Sequence, residues 1–472
     1  MQVLAANLRR HSPCRAPSLP FAAALAGAAW CLAAPAHAQW TAVVLHPPAA
    51  YTSDCLRGQD GTQVGMVDDG SAPTAALWHD TAASYTNLHP TGALYSRIFG
   101  VDGQRQVGYS YPASVAHAAM WTGTAASHVD LNPSGASTST AFDVAGDTIV
   151  GQAKFNTLMQ AGIWNATTNG WTSLHPTTAP PSTWSNIAAT DGLQQAGEAV
   201  VGGHSHAMLW SGSAGSAIDL HSYTATDTSA TDVHTGQQVG RATFNFVNHA
   251  CMWSGSAASF VDLQPAGATR SEANGVHLGA QVGFAQIAGY YHAGLWHGSA
   301  ASWQDLHGYL PPTFTSSIAF GIWHDIYGVT YVVGTGNESG HQHAVMWILV
   351  PPIWTDLGFA KAGISGLPLL SGVGPLTTNS LTSLTLTNAN PSTTAVLVMG
   401  VLPANVPFLG GVLVPDPVIL VPLTTDATGV VTWQVNLPSL PTGLPLRFQH
   451  WIDDPTVSYG WSASNGLLGI CQ

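Results

Sequence analysis

The sequence contains few charged residues for its length. Only 7% of its 472 residues are Asp, Glu, Lys or Arg, whereas soluble domains average roughly 25%. Acidic residues outnumber basic ones, 24 to 11, and the Lys and Arg residues form no cluster. Because nucleic-acid binding depends on clustered positive charge, we expect no nucleic-acid partner. The surface is expected to be covered by Ser, Thr, Asn, Gln, Gly and His.

Cysteines and long apolar segments are also scarce. Of five cysteines, Cys14 and Cys31 lie in an N-terminal segment that we expect to be removed. The three that remain predict no disulfide framework. Cys55 and Cys251 occupy apolar positions and are expected to be buried, inert thiols, whereas Cys471 lies near the C-terminus and can be exposed. No later segment has 18 uninterrupted apolar residues, so no transmembrane segment is expected in the mature chain.

Residues 1–38 have the features of a secretory signal peptide. Three arginines precede an apolar stretch of 15 residues, Phe21 to Pro35, which is too short to span a bilayer. The small-x-small sequence Ala36-His37-Ala38 then provides a cleavage site before Gln39. These features predict that the chain is exported and is either secreted or held at the cell surface.

A tryptophan that follows a short apolar run recurs along most of the chain. Successive copies are separated by 43, 43, 46, 43, 43 and 51 residues, which is the signature of a structural repeat. The seven copies are Trp78, Trp121, Trp164, Trp210, Trp253, Trp296 and Trp347. We expect these side chains to be buried between neighbouring repeats.

Three further elements keep the same spacing. An Asp-Leu or His-Pro segment follows most of the tryptophans, and a Ser-x-Ala-x-x-Val run opens most units, as in 139–144 and 271–276. A Val-Gly pair precedes each tryptophan. The pairs are Val64-Gly65, Val107-Gly108, Val150-Gly151, Val201-Gly202, Val239-Gly240, Val282-Gly283 and Val333-Gly334. Each unit therefore contains four short segments with strand periodicity, separated by turn residues.

Four-stranded units of about 40–50 residues are typical of β-propeller blades. The sequence therefore predicts a seven-bladed β-propeller over residues 39–352. The seventh unit ends after its third strand, at Trp347, while residues 42–47 resemble the fourth strand of a blade. We expect residues 41–46 to pair with 343–348, so that the N-terminal strand completes the last blade and closes the ring.

The repeat stops at Pro351-Pro352. Residues 353–472 contain alternating apolar runs separated by turn residues, which predict an antiparallel β-sandwich. The runs are 381–387, 394–401, 418–423, 430–437, 446–452 and 458–464. The whole chain is therefore predicted to be all-β.

The combined pattern Ser-x-Ala, Gly-x-x-Val-Gly, His-Ala-x-Leu-Trp and Asp-Leu resembles the HAF family of bacterial extracellular repeats. The resemblance covers residues 40 to about 350. The family's usual Phe after His-Ala is replaced here, at Ala119, Met208, Cys251, Gly294 and Val345. From Trp354 onward the chain looks like a C-terminal β-sandwich that is appended to secreted proteins of planctomycetes and similar bacteria. Both resemblances imply an extracellular location and an architecture, but no activity.

Five histidines share one repeat position, four residues before the tryptophan. They are His117, His206, His249, His292 and His343. Because the repeat places one in each blade, far from the others, we interpret them as structural hydrogen-bonding residues and predict no metal and no cofactor. The aspartates that recur in the fourth strand are expected to cap turns or to accept backbone amides. They are Asp130, Asp219, Asp262 and Asp305.

Aromatic residues are concentrated where the units differ most, around the loops between second and third strands and the connections between units. Our candidate ligand-binding residues are Tyr111, Phe155, Trp184, Tyr223, Phe246 and Tyr291. Aromatic faces bind sugars and peptides without requiring charge. The alternative is that these side chains only pack beneath their loops.

The favoured interpretation is a non-catalytic, monomeric binding module whose ligand is a surface glycan or an envelope protein. Two alternatives stay open: a structural or adhesive surface protein, and a hydrolase with its site at the propeller mouth. Glycoside hydrolysis requires paired acids facing one cleft, yet the only glutamates are Glu198, Glu272 and Glu338. We find no serine elbow and no Cys/His nucleophile pattern. Two carboxylates and a histidine at the propeller axis would favour the hydrolase.

Overall fold

The computed structural model describes residues 40–177, 182–325, 328–350, 352–441 and 443–471. The predicted signal peptide, Gln39 and Pro351 lie outside these ranges. Strands dominate the described residues, whose helical elements are single 3-10 turns, so the all-β prediction is confirmed. Those turns are Ala82–Ser84, Ala125–Ser127, Ala214–Ser216, Ala257–Ser259, Ala300–Ser302, His307–Tyr309 and Ser458–Gly460. Within the described ranges, no helix has the length and apolar character needed to cross a membrane.

Seven antiparallel sheets of four strands each follow one another along the first part of the chain. Sheets 1 to 7 are numbered in chain order, and their strands are named first to fourth. Sheets 1 to 3 comprise Thr52–Gln59, Thr62–Asp68, Pro73–Trp78 and Thr86–Asn87; Ser96–Asp102, Arg105–Ser110, His117–Trp121 and Val129–Asp130; and Thr138–Ala145, Thr148–Phe155, Leu158–Asn165 and Trp171–Ser173.

The remaining four sheets have the same order of strands. Sheets 4 and 5 comprise Ser185–Thr190, Gln195–Val201, His204–Trp210 and Ile218–Asp219; and Asp227–His234, Gln237–Phe244, Val247–Trp253 and Val261–Asp262. Sheets 6 and 7 comprise Arg270–His277, Ala280–Ile287, Tyr290–Trp296 and Gln304–Asp305; and Phe314–His324, Thr330–Glu338, His341–Leu349 and Trp40–Val44. Sheet 7 therefore takes its fourth strand from the N-terminal end of the described chain.

The first strands of the seven sheets form a cyclic series. Each lies beside the first strands of the preceding and the following sheet. The series closes because Phe314–His324 of sheet 7 also lies beside Thr52–Gln59 of sheet 1. Four-stranded sheets arranged in this way fit a β-propeller.

The N-terminal strand pairs with the third strand of sheet 7. The antiparallel register joins Thr41 to Ile348 and Val44 to Val345, and the Leu45 amide donates to the Ala344 carbonyl at 2.8 Å. This is the pairing that the sequence predicts. Trp40, at the start of the strand, is 3% exposed and packs in the apolar cluster that joins sheets 6 and 7.

The repeat tryptophans are buried between consecutive sheets, with exposures of 0–1%. Trp121 of sheet 2 packs against Val64 and Leu88 of sheet 1. Trp78 of sheet 1 packs in the same way against Val333 of sheet 7. The other five tryptophans each pack on the sheet that precedes their own. Seven sheets thus share seven such interfaces, one more than an open row would have.

A β-bulge occurs at the same position in every first strand. Its register with the second strand shifts at Cys55/Arg57, Ile98/Gly100, Ala141/Asp143, Ile187/Ala189, Ala230/Asp232, Ala273/Gly275 and Ala319/Gly321. A bulge bends its strand and increases the local twist. The two residues between Ala and Val in the Ser-x-Ala-x-x-Val run therefore contain the bulge.

The glycine of the Val-Gly pair faces the backbone of the first strand. A Cβ atom at Gly108 would lie 1.9 Å from the Arg97 carbonyl oxygen, so a side chain does not fit there. The prediction for sheet 4 is wrong: Gly202 lies in a turn with φ of 60°. Gly197 takes the repeat position instead, since it pairs with Ile187 and Met208. The search for Val-Gly pairs missed Gly197 because the residue before it is alanine.

Residues 353–471 form separate sheets, in which the described strands pair only with one another. One sheet contains Trp354–Gly358, Gly466–Ile470, Pro445–Asp453, Thr394–Gly400 and Ile419–Thr424 in that order, with Trp461–Ala463 beside the third. A second contains Leu369–Val373, Leu381–Thr387 and Val431–Asn436, and a hairpin joins Pro403–Phe408 to Gly411–Pro415. The two larger sheets pack together through Leu384 on one and Leu397 and Phe448 on the other.

The sequence missed five of these strands and misjudged one cysteine. The missed strands are Trp354–Gly358, Leu369–Val373, Pro403–Phe408, Gly411–Pro415 and Gly466–Ile470. They are short and contain Gly, Pro or consecutive apolar residues, so they lack the alternation that marks a half-buried strand. Cys471, for which exposure had been considered, is buried with 1% exposure because it packs with Leu376 and Leu437. Cys55 and Cys251 are buried as expected, and burial raises the pKa of both thiols.

Candidate binding groove between sheets 2 and 3

The repeat histidines contact acidic residues of their own sheets. His117 Nδ1 lies 2.8 Å from Oδ2 of Asp130. The equivalent pairs are His206 with Asp219 at 2.7 Å, His249 with Asp262 at 2.9 Å and His292 with Asp305 at 2.7 Å. His343 faces Glu338 instead, at 3.2 Å. Each histidine therefore has a structural partner in its own sheet. In the four His–Asp pairs the two residues are 13 positions apart in the sequence, so these contacts were not apparent from the sequence.

Sheet 3 departs from this pattern. Gln160 replaces the histidine and Ser173 replaces the aspartate, and the two side chains bond at 2.9 Å. The 3-10 turn that follows the third strand in sheets 1, 2, 4, 5 and 6 is replaced by a turn at 166–170. The fourth strand then begins with Trp171. Sheet 6 has Trp303 at the equivalent position, packed on Trp296 with ring centroids 4.5 Å apart.

A groove of about 390 Å³ opens at this irregular position, where sheet 3 meets sheet 2. Its lining residues come from the end of sheet 2 and from the second strand and turn of sheet 3. They are Asp130, Leu131, Asn132, Pro133, Ser134, Phe155, Asn169 and Trp171. A concave site with aromatic walls and a few placed polar groups is the usual form of a small-ligand site.

Packing fixes the aromatic wall of the groove. The rings of Phe155 and Trp171 lie 6.3 Å apart, and Trp171 contacts the buried Trp164 at 4.4 Å. Gly162 makes room for Trp171, since a Cβ atom there would lie 2.4 Å from its ring. Trp171 is therefore held by the core on one side and half exposed to the groove on the other.

Hydrogen bonds hold the polar wall in place. Asp130 binds His117 through Oδ2 and accepts the Asn132 amide at 2.8 Å through Oδ1, yet its side chain remains 45% exposed. The Asn132 side chain accepts the Ser139 hydroxyl at 2.6 Å. Asn169 has φ of 59°, a left-handed conformation that Asn tolerates better than most residues. The groove thus presents oriented acceptors beside two aromatic rings.

Only one of the six predicted ligand-binding residues, Phe155, lines this groove. Tyr223 and Phe246 are 97% and 98% exposed. Tyr111 packs against Tyr109 at 5.4 Å, and Tyr291 packs against Phe284 at 4.9 Å.

Trp184, the sixth candidate, is half-buried just before sheet 4. All six lie at the same end of their sheets, but the described structure does not bring them together in one site. Tyr291 belongs to the third strand of sheet 6 rather than to a loop.

The sequence analysis did not select Trp171 and Asn169. For Asn169 the signal is the loss of the repeat: Asn-Ala-Thr-Thr-Asn-Gly at 165–170 replaces the x-Gly-Ser/Thr-Ala-x-Ser segment of sheets 2, 4, 5 and 6. Trp171 keeps a repeat position, which Trp303 occupies in sheet 6. A local break in a repeat is where one unit can acquire a property that the others lack. Comparing the units outside the aromatic-rich loops would have identified this position.

Two charged residues from non-adjacent sheets meet at the centre of the ring, and a third acidic residue, Asp143, lies within the electrostatic influence of both. Arg57 of sheet 1 lies 3.5 Å from Asp232 of sheet 5 and donates to the Phe320 carbonyl of sheet 7 at 2.7 Å. Asp143 of sheet 3 is 8% exposed. Burial raises its pKa to about 7 against the opposing effect of Arg57, and burial also raises the pKa of Asp232.

These central carboxylates are engaged with backbone amides. Asp143 accepts the Thr190 amide at 3.0 Å, and Asp232 accepts the Val276 amide at 2.8 Å. Each aspartate therefore ties its own first strand to the next sheet. The group contains two aspartates and an arginine, whereas two carboxylates and a histidine would have favoured the hydrolase.

Near the aromatic rim, several charged side chains are paired. Arg97 binds Asp54, and Glu272 contacts Arg270 at 2.5 Å and Arg241 at 3.8 Å. Among the described residues, no group of three or more His, Cys, Asp or Glu side chains is arranged to hold a metal ion.

No protein-family model matches the chain, and no curated protein matches it. Solved structures match it at low identity. TolB from Acinetobacter baumannii is 10% identical, with a TM-score of 0.38 over 55% of this chain and 64% of its own. Pyrococcus horikoshii acylaminoacyl peptidase is 9% identical, with a TM-score of 0.42 over 73% of this chain and 59% of its own.

Trypanosoma rangeli sialidase is 9% identical, with a TM-score of 0.32 over 90% of this chain and 92% of its own. The chain spans less than two thirds of the length of TolB and of the peptidase. At these identities and TM-scores the likenesses carry no argument about function, which has to be argued from the groove itself.

Proposed function

We propose that the chain is a secreted or cell-surface binding module without catalytic activity. In this proposal residues 39–352 form a closed seven-bladed propeller, residues 353–472 form an antiparallel β-sandwich, and residues 1–38 direct export. The seven cyclic sheets and the two packed C-terminal sheets support the architecture. The repeat pattern supports a relationship between this chain and the HAF family of repeats.

The ligand that we propose is a neutral glycan bound in the groove between sheets 2 and 3. The observation that carries this proposal is the half-exposed Phe155–Trp171 pair facing the oriented carboxylate of Asp130. Aromatic faces contact the apolar faces of sugar rings, while a carboxylate accepts their hydroxyl protons. The scarcity of charged residues, 7% of the chain, supports a neutral rather than an ionic ligand.

A binding role also agrees with how the acidic groups of the structure are used. The Asp130 carboxylate already accepts a backbone amide and contacts His117. A retaining or inverting glycosidase places a second carboxyl group opposite the first, and the groove lining supplies Asp130 alone. This composition suits recognition of hydroxyl groups.

The test is isothermal titration of the protein with a panel of neutral hexasaccharides of glucose, xylose, mannose and N-acetylglucosamine. Phe155→Ala should weaken binding of the best ligand about tenfold or more, because a stacking surface is lost. Asn169→Gly should also weaken binding while preserving the left-handed turn. Thermal melts verify folding.

Phe246→Ala is the matched control, since this phenylalanine occupies the corresponding loop of sheet 5 and is 98% exposed outside the groove. It should bind like the parent. If folded Phe155→Ala and Asn169→Gly bind normally while Phe246→Ala loses binding, the ligand site lies on the exposed loops and the groove is the wrong location. Absence of binding by the parent to every hexasaccharide would overturn the glycan assignment.

A further inference from the structure

Histidines end the first strands of three consecutive sheets. His234, His277 and His324 are the last residues of the first strands of sheets 5, 6 and 7. The corresponding last residues of sheets 1 to 4 are Gln59, Asp102, Ala145 and Thr190. This end of the sheets is opposite to the end that carries the aromatic candidates, because the first strands run away from that rim.

The three imidazole rings are in contact. His277 Nδ1 lies 2.8 Å from His324 Nδ1, and these two rings are stacked with centroids 5.0 Å apart. The ring of His234 also packs on His277, with centroids 4.2 Å apart. All three side chains are partly exposed, so an ion has access from solvent.

We propose that His277 and His324 bind a divalent transition-metal ion, of the class of Zn²⁺, Cu²⁺ or Ni²⁺, through their facing Nδ1 atoms. Imidazole nitrogen is a preferred ligand of these ions. With metal–nitrogen bonds of about 2.0–2.1 Å, two cis ligands lie about 2.9–3.4 Å apart. The rings are thus within a few tenths of an ångström of the separation required.

Binding needs both Nδ1 lone pairs, whereas the hydrogen-bonded pair carries one proton on Nδ1. On binding, solvent takes the proton from Nδ1 and returns one to Nε2 of the same ring. Both imidazoles therefore remain neutral, and no net proton is released. Burial, with the neighbouring histidines, lowers the pKa of His277 to about 4 and lowers the pKa of His324.

Two protein ligands leave the other coordination positions to water. This agrees with the absence, among described residues, of any three-residue metal group. His234 acts as a positioning residue, because its ring restricts the His277 ring to the stacked orientation. Two protein ligands are fewer than the three of catalytic zinc sites, so the coordination sphere leaves room for an external ligand.

The test uses protein without a histidine tag, titrated calorimetrically with Zn²⁺ and examined with Cu²⁺ by electron paramagnetic resonance. The parent should bind one equivalent of Zn²⁺, and its Cu²⁺ spectrum should show two equivalent nitrogen ligands. His277→Gln and His324→Gln should each abolish the one-equivalent step.

His204→Ala is the matched control, because this histidine is 59% exposed at the other end of sheet 4. It should leave the step unchanged. A parent spectrum without two nitrogen ligands overturns the proposal even if a variant fails to fold. Loss of metal binding with unchanged oligosaccharide binding would separate this site from the groove.

Discussion

The backbone amide of Ala344 donates to the side-chain hydroxyl of Ser53 at 2.9 Å, across 291 residues of sequence. At each of the six remaining interfaces, an equivalent bond joins the third strand of one sheet to the first strand of the following sheet. The equivalent pairs are Ala75 to Ser96, Ala118 to Ser139, Ala161 to Ser185, Ala207 to Thr228, Ala250 to Ser271 and Ala293 to Ser317. The two ends of the series are therefore joined by the same contact as the neighbours within it.

A second side chain completes each of these contacts. The Ser53 hydroxyl also meets His46 Nδ1 at 2.8 Å, and His89 and His175 bind Ser96 and Ser185 in the same way. The histidines of the His-Pro pairs thus link one sheet to the next.

Replacing Ser53 by Ala should destabilise the protein by about 1–3 kcal/mol. The change leaves the buried Ala344 amide without its acceptor, and an unsatisfied buried polar group has a cost of this size. Urea unfolding monitored by tryptophan fluorescence measures the loss. Ser137→Ala is the control, since that exposed hydroxyl has only a long bond to Lys154. Equal unfolding midpoints for the two variants would show that closure does not depend on this bond.

Trp164→Phe should destabilise the protein by at least about 1 kcal/mol more than Trp121→Phe. Both indoles are buried, but Trp164 Nε1 donates to the Leu131 carbonyl at 2.8 Å, whereas Trp121 Nε1 has no hydrogen-bond partner among the described residues. Phe leaves the Leu131 acceptor unpaired in the first case and removes an unpaired donor in the second. Parallel urea titrations decide the point, and similar losses would contradict it.

Gly108→Ala should destabilise the protein by about 1–3 kcal/mol or more, because the new methyl group would overlap the Arg97 carbonyl. The control is Gly215→Ala in the 3-10 turn of sheet 4, where nothing lies within 4 Å of a new Cβ. Other sheets have Ala in this turn, as in Ala82–Ser84. The control should be neutral or stabilising by up to about 1 kcal/mol. Thermal melts compare them, and an equal loss in both would refute the steric explanation.

His450→Leu should reduce the acid sensitivity of the C-terminal sheets. His450 is fully buried, and neither ring nitrogen has a partner among the described residues. Burial lowers the pKa of its ring from 6.5 to about 3. Between these two pH values the unfolded chain binds the proton and the folded chain does not, so this group makes the protein less stable as the pH falls.

The measurement is the free energy of unfolding at pH 7.5 and at pH 4.5, for the parent and for His450→Leu. The variant should lose less stability between the two conditions, and it should be at least as stable at pH 7.5 because two unsatisfied nitrogens are removed. Other titrating groups are common to both proteins and cancel in the difference. Identical losses would mean that His450 is solvated in the folded state.

Much of the architecture could be predicted because its units repeat in the sequence at a nearly constant spacing. The spacing of Trp78 to Trp347 gives the number of repeats, and turn residues divide each repeat into four strands. The missing fourth strand of the last repeat and the strand-like residues 42–47 imply the pairing of Thr41 with Ile348. These inferences need only the local requirement that each unit bury both faces of its sheet.

The candidate sites could not be predicted in the same way. Phe155 was selected from the sequence, but its neighbour Trp171 was not, because their contact depends on how the turn at 166–170 folds. Arg57 and Asp232 belong to sheets 1 and 5, and no feature of the repeat indicates that they meet at the centre of the ring.

The sequence by itself determined the repeat, the strand order within a sheet and the burial of the tryptophans, since each follows from apolar periodicity and turn residues within about 45 residues. The tertiary structure alone decided which polar side chains meet. His277 and His324 are 47 residues apart, and their contact results from the angle and stagger between two adjacent sheets. That geometry is set jointly by the packing at all seven interfaces, so no single repeat contains it.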